Sequence, residues 1–177
     1  MVKGKSRFRF DIRIAYFNEA KEYIEKAKKK YDESITTKDN GKKFSLCFEE
    51  LKYSMYAVLY SSFALEAYIN KIGHEKFKDK WKFVENIPLM TKWIVFPKIL
   101  TGKNIDVSKS PFSYLKKIKN LRNILVHFKE YDYKEGYSHK CGIKILNEYK
   151  NFNSKKAKLY YNKSKEMVDK LEKLIEG

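Results

Sequence analysis

Along the 177-residue chain, apolar positions recur at steps of three and four, the spacing that gathers side chains on one face of a helix, far more clearly than they alternate. From Asp11 to about Ser34, the residues Ile14, Phe17, Ile24 and Ala27 keep this spacing amid Lys and Glu, which predicts a first helix. Thr36 to Lys43, with Asp39-Asn40-Gly41 inside it, reads as a turn. A longer helix is expected from about Ser45 to Ile72, ending at Gly73. Its stripe is Phe48, Leu51, Met55, Val58/Leu59, Ser62, Leu65, Ile69 and Ile72.

From His74 to Leu100 the pattern is less regular. Trp81, Phe83, Trp93 and Phe96 are the expected anchors, and Pro88 and Pro97 break any single long helix. After a loop over Gly102 to Lys109, Ser110-Pro111 offers an N-cap followed by proline at the first helical position. The helix it opens carries Leu115, Ile118, Leu121 and Leu125 and should run to about Phe128. Glu130 to Asn153, with Gly136, Gly142 and several tyrosines, reads as a loop with a short element of its own. Ser154 to Glu176 closes the chain as a helix on Ala157, Tyr161, Met167/Val168, Leu171 and Leu174/Ile175. Seven Gly and three Pro are too few for a protein of many short strands, and no repeat is visible. The expected fold is all-α: one helical bundle of four to five main helices over residues 1–177. A small hairpin or irregular insertion separates the last two helices, and residues 1–10 form a basic N-terminal arm.

Composition adds a folded core and an excess of cations. Hydrophobic residues make up 43% and aromatics 16%, well beyond a disordered basic tail, while the formal net charge is +17. Such an excess suits a polyanion, because lysine and arginine that neutralise phosphates release condensed counterions. Almost all of it is lysine, however, and a solvated surface accounts for it equally well. Arginine occurs only as Arg7, Arg9, Arg13 and Arg122. Cys47 and Cys141 stand far apart and outside any metal-ligand spacing, so neither a disulfide framework nor a cysteine zinc site is expected. Neither a bilayer-spanning apolar run nor a secretory signal is read, which makes a reduced, cytoplasmic setting the expectation, with no membrane partner.

The position with most chemical information is Arg122. Leu115, Ile118, Arg122 and Leu125 share one seam, so an arginine stands where the pattern asks for an apolar side chain, and a buried cation needs a partner. In the long second helix, the seam Leu59, Ser62, Glu66, Ile69 shows the same intrusion with opposite sign, so packing of the two helices would bring Glu66 to Arg122. Five residues beyond Arg122 lies His127. Asn123 and His127 are about 40° apart around a helix, whereas Arg122 and His127 are about 140° apart and would flank a groove. Two readings are open: an interhelical salt bridge with His127 at a helix C-terminus, or a site built on Arg122, Asn123 and His127. The other histidines carry less. His74 suits a cap or surface position, and His139 in Ser138-His139-Lys140-Cys141 lacks a third ligand or an orienting acid. Tyr160-Tyr161, Trp81 and Trp93 suit core packing better than base stacking.

The run Arg122-Asn123-Ile124-Leu125-Val126-His127, late in a helix, together with Ala64-Leu65-Glu66-Ala67-Tyr68-Ile69-Asn70, resembles the HEPN superfamily. Its members are small helical bundles, many of them metal-independent endoribonucleases with an Arg-x4-6-His motif. They usually act as dimers whose two motifs meet at the interface, in toxin–antitoxin and antiphage defence systems. The resemblance therefore implies RNA as substrate, Arg122, Asn123 and His127 as catalytic residues, and Glu66 in support. It further implies no cofactor and no metal, a homodimer with a composite site, and an antitoxin or defence partner protein. Where some of these toxins carry a modifiable Tyr two positions after the His, this chain has Lys129. A non-catalytic RNA- or protein-binding module of the same fold is the alternative.

Overall fold

Asp11 opens the first helix by accepting a hydrogen bond from the Arg13 amide, satisfying a donor that the first turn cannot. A computed structural model describes residues 11–126 and 152–177. Their helices are α1 (Ile12–Thr36), α2 (Asn40–Phe77), the four-residue α3 (Trp81–Val84) after a 3-10 turn at Lys78–Lys80, α4 (Leu89–Thr101), α5 (Ser113–Val126) and α6 (Ser154–Glu176). The protein is an all-α bundle of five main helices, with no strand among the described residues. The expected arm 1–10 and nearly all of the expected insertion between α5 and α6 lie outside the described residues. None of the described helices is long and apolar enough to cross a membrane.

α2 is the axis of the bundle and packs against α1, α4, α5 and α6. It covers ~57 Å at 1.5 Å per residue, and its middle is buried on more than one side by small residues: Ala57, Ser61, Ser62, Ala64 and Gly73. Buried serines there bond back to their own helix, Ser61 Oγ to the Ala57 carbonyl at 2.7 Å and Ser62 Oγ to the Leu59 carbonyl at 2.9 Å, so the crowding leaves neither hydroxyl stranded. Around this axis lie Leu65, Tyr68, Ile69, Trp93, Phe96, Leu115, Ile118, Met167 and Leu171, each at most 1% exposed.

Several boundaries differ from the sequence reading for identifiable reasons. Asp39 caps α2 through the Lys42 amide, so Asn40 and Gly41 form its first turn instead of a loop. Gly73 does not stop α2. It is buried inside it, where a methyl group would collide with the Trp81 ring and stand 2.8 Å from Cε2 of Phe96. The glycine is there for close approach, not for chain reversal. Among the described residues the left-handed glycine is Gly102, at φ 72°, which ends α4 by donating its amide to the Lys98 carbonyl. Pro97 sits within α4, buried and tolerated. Ser110 does not cap α5: the Ser110-Pro111 bond is cis, two turns follow, and the helix begins at Ser113. Phe48 and Phe83 are not core anchors, at 64% and 75% exposed.

Polar contacts fasten the helix ends. Glu50, buried in α2, accepts hydrogen bonds from the amide and hydroxyl of Ser154 at 3.0 and 2.8 Å, holding the first turn of α6. Arg13 binds Glu172 of α6 at 2.6 Å and Asp11 at 3.2 Å, while Lys71 of α2 binds Asp11 at 2.9 Å. Burial raises the Asp11 carboxyl, but the Lys71 hydrogen bond and the charges of Arg13 and Lys71 outweigh it and hold it below its ordinary value.

Two outcomes follow. Gly73→Ala should destabilise the protein by ~1–3 kcal/mol in a denaturant titration although alanine is the better helix former; a neutral or stabilising result would remove the close-approach role. Because the Asp11 carboxyl is depressed in the folded state, its contribution is complete above the unfolded value and lost as pH falls through the lower, folded one. The stability deficit of Asp11→Asn, followed by melting temperature, should therefore be present at neutral pH and shrink as the pH drops below 3.8.

Candidate functional site

Glu66 and Asn70 lie one helical turn apart on α2, both half-buried at the edge where α4 and α5 approach. α5 is amphipathic, and burial of Leu115 and Ile118 against the core sets its rotation. The next position along that seam is Arg122. Its Nη2 stands 3.1 Å from Oε2 of Glu66, the pairing anticipated from the two seams.

The guanidinium is only partly committed. Its side chain is 27% exposed and its carbon lies 5.9 Å from the centre of the Phe63 ring. Nε is buried and has no hydrogen-bond partner among the described residues. Arginine presents five donors in a planar fork that matches carboxylate and phosphate oxygens, so one ion pair leaves capacity for an additional anion. Asn123, the next residue of α5, is half-buried beside it. His127 lies outside the described residues, so the geometry of the site ends at Asn123.

Lys92 of α4 joins this cluster, and the sequence reading missed it. It is 5% exposed and held from inside: Nζ donates to Oδ1 of Asn70 at 2.7 Å and to the Glu85 carbonyl at 2.6 Å, above the Trp81 ring at 5.0 Å. Burial pushes its ammonium below the ordinary lysine value, against the opposing charges of Glu66 and Glu85. A signal was present: Leu89, Lys92 and Phe96 stand at steps of three and four, so Lys92 interrupts an apolar seam as Arg122 does.

Arg122 and Lys92 bring two positive charges to the cluster, and Glu66 and Glu85 offset them. What remains available to an anion is the uncommitted, partly exposed part of the Arg122 guanidinium. Among the described residues no group of three or more His, Cys, Asp or Glu side chains could hold a metal ion.

Removing the Glu66 charge with Glu66→Gln withdraws a negative charge that favours the Lys92 cation. The Lys92 amine should then titrate at still lower pH, observable by NMR of the lysine side chains; an upward shift would show that Glu66 does not act on it. A double-mutant cycle over Glu66→Ala and Arg122→Ala should give a coupling of ~0.2–1 kcal/mol, the range of partly exposed ion pairs. Set against known proteins, the chain finds no match: no protein-family model, no curated protein and no solved structure corresponds to it.

Proposed function

We propose that the protein is a metal-independent endoribonuclease of the HEPN type, cleaving single-stranded or loop RNA as a homodimer in a cytoplasmic toxin or antiphage role. The supporting observation is Arg122 itself: an arginine in an apolar seam, paired through one nitrogen to Glu66 and half-open, with Asn123 beside it and Arg122 five residues before His127.

Cleavage of RNA without metal requires that the ribose 2′-OH lose a proton, the 5′-oxygen leaving group gain one, and the crowded phosphorane be neutralised. An imidazole can both accept and give a proton, so His127 takes the proton transfer. Arg122 supplies charge to the phosphorane through its free donors, Glu66 keeps the guanidinium in place, and Asn123 holds the imidazole or the substrate. One motif offers a single His and a single Arg, so a two-fold axis that brings two motifs together completes an acid and a base. An antitoxin or defence partner would restrain such an activity.

The alternative, a non-catalytic RNA- or protein-binding module, is favoured by the same ion pair: Arg122, Glu66, Asn70 and Lys92 also make sense as a network that fastens α5 and α4 to α2.

Incubation of the purified chain with single-stranded RNA in EDTA separates the two. On the enzyme reading the wild type leaves 2′,3′-cyclic phosphate ends, and His127→Ala and Arg122→Ala each lose ~10²–10⁴-fold in rate. Arg122→Lys should fail to restore it, because an ammonium lacks the planar fork. Equal cleavage by all variants would remove the site, and no cleavage by any would leave the binding module.

A further inference from the structure

Phe63, the ring against Arg122, is the end of a continuous row of aromatic side chains along the α1–α2 seam. Phe63 meets Tyr16 at 5.6 Å and Tyr60 at 6.0 Å. Tyr60 stacks on Tyr23 at 5.5 Å with 19° between planes, and Tyr23 stacks on Tyr53 at 6.1 Å and meets Tyr56 edge-on at 5.2 Å. None of the six is buried: five are half-exposed and Tyr56 is 38% exposed. Tyr23 packs against the core from its edge, but none of the six rings belongs to the buried cluster, whose aromatic members are Tyr68, Trp93, Phe96 and Phe152.

Cations border the row. Lys26 lies 5.0 Å from the Tyr23 ring centre and Lys52 5.9 Å from that of Tyr53, both side chains at the surface, and Arg122 stands at the far end. Glu19 and Glu22 also face Tyr23, and Glu22 is paired with Lys26. The seam is thus aromatic first and only mildly cationic. A protein surface of this kind fits a ligand that offers flat rings together with spaced negative charges, which is the chemistry of an unpaired nucleic-acid strand.

We propose that this seam is a stacking track for single-stranded RNA, running from Arg122 over Phe63, Tyr60 and Tyr23 to Tyr53 and Tyr56, and that it delivers the strand to the Arg122 cluster. The track rests on the ribonuclease reading for its direction but not for its binding. From Tyr53 to Phe63 the α2 backbone rises ~15 Å, room for roughly four nucleotides at ~3.4 Å each. The bases lie against the exposed ring faces and edges, while Lys26, Lys52 and Arg122 meet phosphates.

The test uses the full chain and a fluorescein-labelled 2′-O-methyl oligouridylate of twelve nucleotides, which cannot be cleaved, followed by anisotropy. Tyr23→Leu, Tyr60→Leu and Tyr56→Ser should each weaken binding about five- to hundredfold, with thermal melts confirming that each variant folds. Tyr56 is the most exposed of the row, so Tyr56→Ser decides the matter if either leucine variant fails to fold. The wild-type log–log salt slope should be shallow, about −2 for three neutralised phosphates on a single strand. Unchanged affinity in folded variants, or a steep slope indifferent to the rings, overturns the track in favour of diffuse lysine binding. A variant that changes the oligomeric state in light scattering but not the affinity overturns it in favour of a contact between copies of the chain. If Arg122→Ala abolishes cleavage while the tyrosine variants bind and cut like wild type, the track falls and the nuclease stands; ring-dependent binding by a protein that never cuts leaves the track and removes the nuclease.

Discussion

The constraint on which the bundle depends is that one helix, α2, is packed by neighbours on several sides at once. On its packed faces little surface is left for water, and several of its polar side chains there are met by other elements. Those partners are distributed: Glu49 takes Lys30 of α1, Glu50 takes Ser154 of α6, Glu66 takes Arg122 of α5, Asn70 takes Lys92 of α4, and Lys71 takes Asp11 before α1. Each surrounding main helix is tied to α2 by its own polar contact. The apolar core supplies the bulk of the driving force, since a half-exposed ion pair contributes little, while the polar ties fix rotation and register.

The candidate site is a by-product of the same arrangement. Where α4 and α5 converge on α2, Arg122 and Lys92 meet Glu66 and Glu85, and solvent reaches the cluster through the half-open Arg122. A structural network and an anion site are built from identical parts there. They differ in whether the guanidinium's remaining donors meet a substrate.

Much of the fold could be read in the sequence because helical spacing is a local property. The seams of α1, α5 and α6 repeat at three and four, and Ile24, Ala27, Leu115, Ile118, Ala157, Met167 and Leu171 are buried as the pattern names them, although Ile14 of the α1 seam is 54% exposed and Ala20, which the pattern leaves out, is buried. The Glu66–Arg122 pair was legible because each residue breaks a seam, and broken seams of opposite sign on adjacent helices have one economical solution. Lys92 broke a seam too, but in a stretch where two prolines and scattered tryptophans obscured the period. Glu50 gave no signal, since its partner is the amide and hydroxyl of a single serine distant in sequence. Phe48 and Phe83 were misplaced because periodicity says which side of a helix is apolar, not how far a neighbouring helix extends to cover it. Gly73 was misread for a related reason: glycine permits both a left-handed turn and a close contact, and local sequence does not distinguish them.

That glycine has a bearing on assembly order. Gly73 receives the Trp81 indole from only a short distance down the chain, across the 3-10 turn, and Phe96 completes the contact from α4. Closing so small a loop sacrifices little chain entropy compared with bringing α6 onto α2. The corner formed by the end of α2, Trp81 and α4 is therefore a natural place for tertiary structure to nucleate. Asn70 and Lys92 fall inside that corner, whereas Arg122 arrives with α5 from farther along, so half of the candidate cluster can be organised before its arginine docks.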